Sequence, residues 1–194
     1  MKRFILLLFL LPACTSVSPP LAPLERPLTS GASEIVQVIV KPVITSGINS
    51  EDEQKYGVDL SAYFTAFEVH IINRTNEEIS FDPTQARLIN GTGQINSGLD
   101  EQGAVQYYMN GGGNTILTIV PKSKAIVDEE TRKIVRARIT EGMIGPGGQK
   151  EGLLFFKKVS PEHCQEIVLK LDVAVRESGE RKDFSFPFSC ANKS

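Results

Sequence analysis

Residues 166–175 (EIVLKLDVAV) and 182–190 (KDFSFPFSC) decide the fold. Each alternates apolar and polar side chains, the period of a half-buried β-strand, and turn-rich pieces separate them. A two-residue turn at Ser178-Gly179 would make them a hairpin, pairing Val173 with Phe184, Leu171 with Phe186, Leu169 with Phe188 and Ile167 with Cys190. Every pair is apolar on both sides. A one-residue slip would set this face against Lys, Asp, Ser and Pro, so burial is expected to specify the register tightly. Residues 152–159 (GLLFFKKV) form a third strand pattern just before the pair.

The same period runs back to Glu34. Residues 35–44 (IVQVIVKPVI) predict a first strand, with Pro42 at a sheet edge because proline donates no ladder hydrogen bond. In residues 63–73, Tyr63, Thr65, Phe67, Val69 and Ile71 share the expected core face, and Phe64, Ala66, Glu68, His70 and Ile72 the other. Asn73-Arg74-Thr75-Asn76 and Asp82-Pro83 read as turns around a short strand at 78–81, and another strand at 86–90 ends at Gly91-Thr92-Gly93. Residues 115–120 (TILTIV) predict a strand stopped by Pro121. Ser123 then caps a helix running to about Ile139, in which Ile126, Val127, Glu130, Ile134, Ala137 and Arg138 recur every three or four residues and acidic residues precede basic ones. The pattern is that of a mainly all-β protein: one antiparallel β-sandwich with one helical insertion.

Composition excludes more than it selects. The 194 residues are 41% hydrophobic, enough to bury a core, and 21 Lys and Arg nearly cancel 23 Asp and Glu, leaving a formal charge of −2. No strong field draws such a chain to nucleic acid. Two histidines, three cysteines and no tryptophan leave little for metal sites or imidazole catalysis. Gly111-Gly112-Gly113-Asn114 has no Gly-Lys-Ser/Thr behind it and precedes a strand pattern, so a flexible turn explains it better than a phosphate loop. Glu51-Asp52-Glu53 lacks the spacing and turn glycine of a calcium loop; a solvated charge run is the first reading and a weak cation site its rival. His70 has no serine in a Gly-x-Ser-x-Gly elbow to work with, and Asn73-Arg74-Thr75 and Asn90-Gly91-Thr92 match glycosylation acceptors by coincidence. No catalytic residue, metal ligand or cofactor is expected, and the chain reads as a non-enzyme.

The amino-terminal stretch is an address. Met1-Lys2-Arg3 is followed by eight apolar residues, 4–11 (FILLLFLL), which as a helix would span only about 12 Å, well short of a bilayer's hydrocarbon core. This reads as a secretory signal peptide. Leu11-Pro12-Ala13-Cys14 resembles the lipobox of bacterial lipoproteins, although Pro12 stands where a small or hydroxyl residue is usual. That resemblance implies cleavage after Ala13, diacylglycerol on the Cys14 sulfur and a palmitate-type acyl group on the new amino terminus. Thr15, rather than an aspartate, resembles the default that sends Gram-negative lipoproteins to the outer membrane. The expected layout is a signal peptide at 1–13, a lipidated Cys14 with a Pro-rich tether at 14–33, and a β-sandwich domain at 34–194. Cleavage would leave 181 residues and, with Lys2 and Arg3 gone, a side-chain charge of −4. Pro19, Pro20, Pro23 and Pro27 favour extended chain, and at about 3.1 Å per residue the tether would hold the body up to about 60 Å from the lipid.

With Cys14 assigned to lipid, Cys164 and Cys190 remain, in a compartment where disulfides persist. The hairpin ends at Cys190, and Cys164 lies three residues before Ile167, so a bridge is within reach if the intervening turn folds back. Closing the loop of about 27 residues would stabilise the domain by about 3–4 kcal/mol. The rival is a reactive thiol at Cys164 beside His163, but neighbours on an extended chain point to opposite faces.

Phe67-x-Val69-x-Ile71-x-Asn73-x-Thr75, then Ile79-x-Phe81-Asp82-Pro83, then Gly145-Pro146-Gly147-Gly148 leading into Gly152-Leu153-Leu154-Phe155-Phe156, is similar to the telokin-like immunoglobulin-type domain of many bacterial lipoproteins and exported proteins. The likeness spans residues 34–190. It implies an immunoglobulin-like sandwich without the buried tryptophan or inter-sheet cysteine pair of antibody domains, and it implies no activity. The expected protein is a membrane-anchored, non-enzymatic lipoprotein presenting a binding or envelope-assembly module to a protein partner, at the periplasmic face of the outer membrane or the cell surface. The alternative is a small-ligand or peptide-binding protein using loops 45–59 and 90–114.

Overall fold

The computed structural model describes residues 21–23, 35–43, 55–113, 122–160 and 163–190. Two antiparallel sheets face each other. The larger runs in the order β1 (Leu21–Pro23), β10 (Arg181–Cys190), β9 (Ile167–Val175), β4 (Ile79–Phe81), β7 (Gly142–Ile144). On the β4 side, β9 also pairs with β5 (Arg87–Ile89), which carries β6 (Ile95–Ser97). The smaller sheet is β2 (Val36–Pro42), β3 (Phe64–Asn73), β8 (Gln149–Lys157). The fold is the all-β sandwich the alternation implies.

The hairpin β9–β10 forms, with a different register. Phe184 faces Leu171, Phe186 faces Leu169 and Phe188 faces Ile167, two residues away from the pairing that a Ser178-Gly179 turn would impose. Both registers bury the same side chains, because a shift of two preserves the face of every residue. The loop decides between them: the Val175 amide donates to the Glu180 carbonyl at 2.8 Å and the Gly179 amide to the Val175 carbonyl at 2.9 Å, with Gly179 at φ +67. Residues 176–179 thus form a four-residue loop with its glycine in the left-handed region.

Between the sheets lies an aliphatic and phenylalanine core. Val38, Val69, Ile71, Leu154, Leu169 and Phe186 are among its fully buried members, and the Phe67 ring packs 4.9 Å from that of Phe188. The odd-numbered face of β3 supplies this core as expected. Tyr63 departs from it: a one-turn helix, α1 (Leu60–Tyr63), capped by Asp59, precedes the strand and turns Tyr63 away.

The expectation of one helical insertion also needs correction. Besides the helix capped by Ser123, α3 (Lys124–Ala137), there is α2 (Glu101–Met109), capped by Asp100. With α1 these helices cover the outer face of the small sheet, enclosing a second cluster that includes Leu60, Phe64, Ala104, Ile134, Leu153 and Phe155. The start of β3 is therefore buried on both faces. Two backbone contacts cover the free edge of β8: the Leu99 amide donates to the Phe155 carbonyl (2.8 Å) and the Ile139 amide to the Leu153 carbonyl (2.9 Å). Gly152 makes the second approach workable, since a Cβ there would lie 2.7 Å from the Ile139 backbone. Residues 115–120, expected as a strand, lie outside the described residues.

Leu21–Pro23 fall inside the segment expected to be a solvated tether, yet they pair with β10, Leu21 opposite Cys190 and Pro23 opposite Phe188. The edge of β10 presents unpaired peptide groups that a short extended strand can satisfy, and an edge strand tolerates proline.

Candidate functional site

Asn73 is a buried polar hub of the sandwich. Its side chain is fully buried, and Nδ2 donates to the carbonyls of Glu77 (2.8 Å), Ile144 (2.8 Å) and Gly145 (3.0 Å) while Oδ1 accepts from the Thr75 amide at 2.9 Å. Its backbone exchanges bonds with Gly147 and Gly148, both 2.9 Å. The two segments that carry the family resemblance, Asn73-x-Thr75 and Gly145-Pro146-Gly147-Gly148, therefore meet around one amide. This is a staple between the sheets, with both the Nδ2 and the Oδ1 of Asn73 hydrogen-bonded. A buried Asn73, and an Asn90 that is 5% exposed, are closed to glycosylation.

The densest group of ionisable and aromatic side chains lies in the helical layer. Tyr108 on α2 donates to the Glu130 carboxylate on α3, and Lys122 Nζ donates to the same Glu130 oxygen at 2.6 Å. The Lys122 ammonium sits 5.0 Å above the Tyr63 ring and 5.5 Å above that of Tyr108, and the two rings are 4.7 Å apart. Burial, seconded by the Glu130 carboxylate, pushes the Tyr108 phenol up. Burial alone would lower the Lys122 ammonium, but its bonds to Glu130 and Tyr63 prevail and raise it. Glu130 is held by a phenol and an ammonium at once. The arrangement clamps α2 to α3.

Gly111-Gly112-Gly113 serves this clamp. The three glycines form a 3-10 turn after α2, with Gly112 at φ +61 and its would-be Cβ 2.7 Å from the Tyr63 backbone. The expected flexible turn is a packed one.

Near the start of β3, Lys158 Nζ donates to the Ala62 carbonyl (3.1 Å) and the Lys158 amide to the Tyr107 hydroxyl (3.0 Å). Burial lowers the Lys158 ammonium, with Asp59 pulling weakly the other way.

The other residues singled out in the sequence are dispersed. His70 is half-exposed on β3, its Nε2 3.1 Å from Gln149 Oε1. His163 Nδ1 lies 3.1 Å from Ser160 Oγ, inside a local turn. Cys164 is 3% exposed and disulfide-bonded, which removes it as a nucleophile. Cys190 ends β10, with its side chain outside the description. Cys14 and Glu51-Asp52-Glu53 lie outside the described residues. Among the described residues no three His, Cys, Asp or Glu side chains group so as to hold a metal ion, and no helix is long and apolar enough to cross a membrane.

Of the two loops considered for ligand binding, 90–114 is largely occupied by β6, α2 and the glycine turn. The Asn90–Gly93 turn closes on the Asn90 side chain, which accepts from Thr92 and Gln94, whereas Gly57 in the other loop is held by Lys133 of α3 at 3.2 Å. Sequence reasoning missed α2 and the tyrosine clamp. The available signal was Asp100 as a cap, bonded to the Gly103 amide at 2.7 Å, with Glu101 in the first turn; Gly103 and the flanking turn residues obscured it.

No family model matches the chain, and no curated protein matches it. Among solved structures it is similar to the Bacillus subtilis protein ycdA, provisionally described as a lipoprotein, with 16% identity and a TM-score of 0.44 over 85% of this chain and 39% of that one. It is also similar to a functionally unknown protein from Listeria monocytogenes EGD-e, with 12% identity and a TM-score of 0.38 over 90% of each chain. A third, the structural-genomics target SoR45, shows 9% identity and a TM-score of 0.34 over 81% of this chain and 86% of that one. This chain therefore spans about two fifths of the length of ycdA.

Proposed function

We propose that this protein is an exported lipoprotein, fatty-acylated on Cys14, whose sandwich acts by binding a protein partner in the cell envelope rather than by catalysis. The reading is carried by one observation, the succession Met1-Lys2-Arg3, the apolar run 4–11 and Leu11-Pro12-Ala13-Cys14. Two or three acyl chains on one cysteine hold a protein firmly, since each buried methylene contributes about 0.8 kcal/mol. The outer membrane, at its periplasmic face or exposed at the cell surface, is the destination that Thr15 favours.

An oxidising compartment fits the state of Cys164. We assign Cys190 as its disulfide partner: carried two pairs beyond Phe188–Ile167, the observed register sets Cys190 opposite Gln165, the neighbour of Cys164. A non-reducing peptide map is expected to recover the two cysteines in one linked fragment.

Metabolic labelling with a palmitate analogue tests the anchor. Wild-type protein is expected to take up label on its amino-terminal peptide and to fractionate with membranes, and Cys14→Ser to lose both. An unlabelled wild type carrying an intact Met1 overturns the reading. Crosslinking in the native envelope would then identify the partner, whereas substrate turnover by the purified chain would overturn the non-enzymatic role.

A further inference from the structure

The pairing of β1 with β10 sets how the body meets the lipid. We propose that the pole of the sandwich at which β1 enters rests against the phospholipid headgroups, held there by a short span of chain; this rests on acylation of Cys14. Leu21, the first residue of β1, faces Cys190, the last residue of β10. The same pole carries the Asn90–Gly93 turn, since Ile89 pairs with Val168 near the start of β9, and the end of β8 at Lys157, whose connection leads to Cys164 and β9. The opposite pole carries the Gly145–Gly148 turn and the loop after Val175.

Only residues 15–20 separate Cys14 from Leu21. At no more than about 3.6 Å per residue, the seven steps from Cys14 to Leu21 reach at most about 25 Å. β10, whose last residue Cys190 faces Leu21, runs nine steps back to Arg181 at the far pole, about 30 Å at about 3.3 Å per step. The acylated sulfur therefore cannot reach the far pole, and the roughly 60 Å spacer that a free segment would provide does not exist. Ile95, 57% exposed beside this turn, suits a headgroup boundary better than open water.

The chain contains no tryptophan, so a single introduced indole reports its own surroundings. Full-length acylated protein carrying Lys157→Trp or Ile95→Trp at the near pole, or Glu177→Trp at the far pole, would be reconstituted into phosphatidylethanolamine/phosphatidylglycerol vesicles containing a headgroup-nitroxide lipid. Quenching is expected to be several-fold stronger for both near-pole reporters than for Glu177→Trp. Inserting about twelve Gly/Ser residues after Thr15 is expected to weaken the near-pole quenching. Equal or reversed quenching in protein that floats with the vesicles overturns this inference while leaving the anchor standing, as does near-pole quenching indifferent to the insertion. Wild-type protein that fails to float with the vesicles overturns the anchor and the inference together.

Discussion

The small sheet carries a different core on each face. Toward the large sheet it packs valine, isoleucine, leucine and phenylalanine, with no tyrosine. Toward the helices, all four tyrosines of the chain gather: Tyr63 and Tyr108 are buried in the outer cluster, and Tyr56 and Tyr107 pack against it. A tyrosine buries its ring and still needs a partner for its hydroxyl. The outer cluster is thin enough to allow that, with Tyr108 reaching Glu130 and Tyr107 accepting the Lys158 amide at the rim. The inner core holds the sandwich together by area. The outer one fixes a helical cover through directional bonds at its margin.

If that division is right, Phe186→Ala, which empties a fully buried site between the sheets, is expected to cost about 3–5 kcal/mol and to shift chemical denaturation equally by every probe. Ile134→Ala under α3 is expected to cost about 2–4 kcal/mol, with amide exchange accelerated in α2 and α3 and β9–β10 left protected. Equal loss of protection in the hairpin would show that the two cores unfold as one. Gly112→Ala forces a side chain into the left-handed region and onto the Tyr63 backbone, for about 1–3 kcal/mol, visible in the same exchange experiment. Tyr108→Phe keeps the ring and removes the hydroxyl that bonds Glu130 and Lys122, and is expected to cost about 0.5–1.5 kcal/mol by urea denaturation.

The smallest effect is on pH dependence. Burial sets the folded-state pKa of Lys158 below its unfolded value. The fold therefore binds fewer protons there than the unfolded chain, and this group's contribution to stability rises with pH until about 10.4, the ordinary lysine value. Subtracting the denaturation midpoints of Lys158→Met from those of wild type across that range should isolate the upward slope. A flat difference would mean that the ammonium is solvated.

Legibility followed the range of the interaction. Ser123 caps α3 with an acceptor for the Ile126 amide, and Pro42 lies at the end of an edge strand, because caps and prolines act over a few residues. The paired faces of β9 and β10 were legible for the same reason. Their register was not, since hydrophobic alternation repeats every two residues and cannot tell Phe184 opposite Val173 from Phe184 opposite Leu171. The tyrosine clamp joins residues 63, 108, 122 and 130 across separate elements, and nothing local in the sequence marks such a meeting.

By itself, then, the amino-acid sequence determined the period of the strands, the cap of α3 and the composition of the inner core, all consequences of side chains within a turn or two of one another. The tertiary structure alone decided which strand lies beside which, where the tyrosines collect, and that Leu21–Pro23 are drawn onto the edge of β10. A proline-rich stretch is extended either way. Whether it hangs free or closes a sheet depends on an unpaired row of peptide groups contributed from more than 160 residues away.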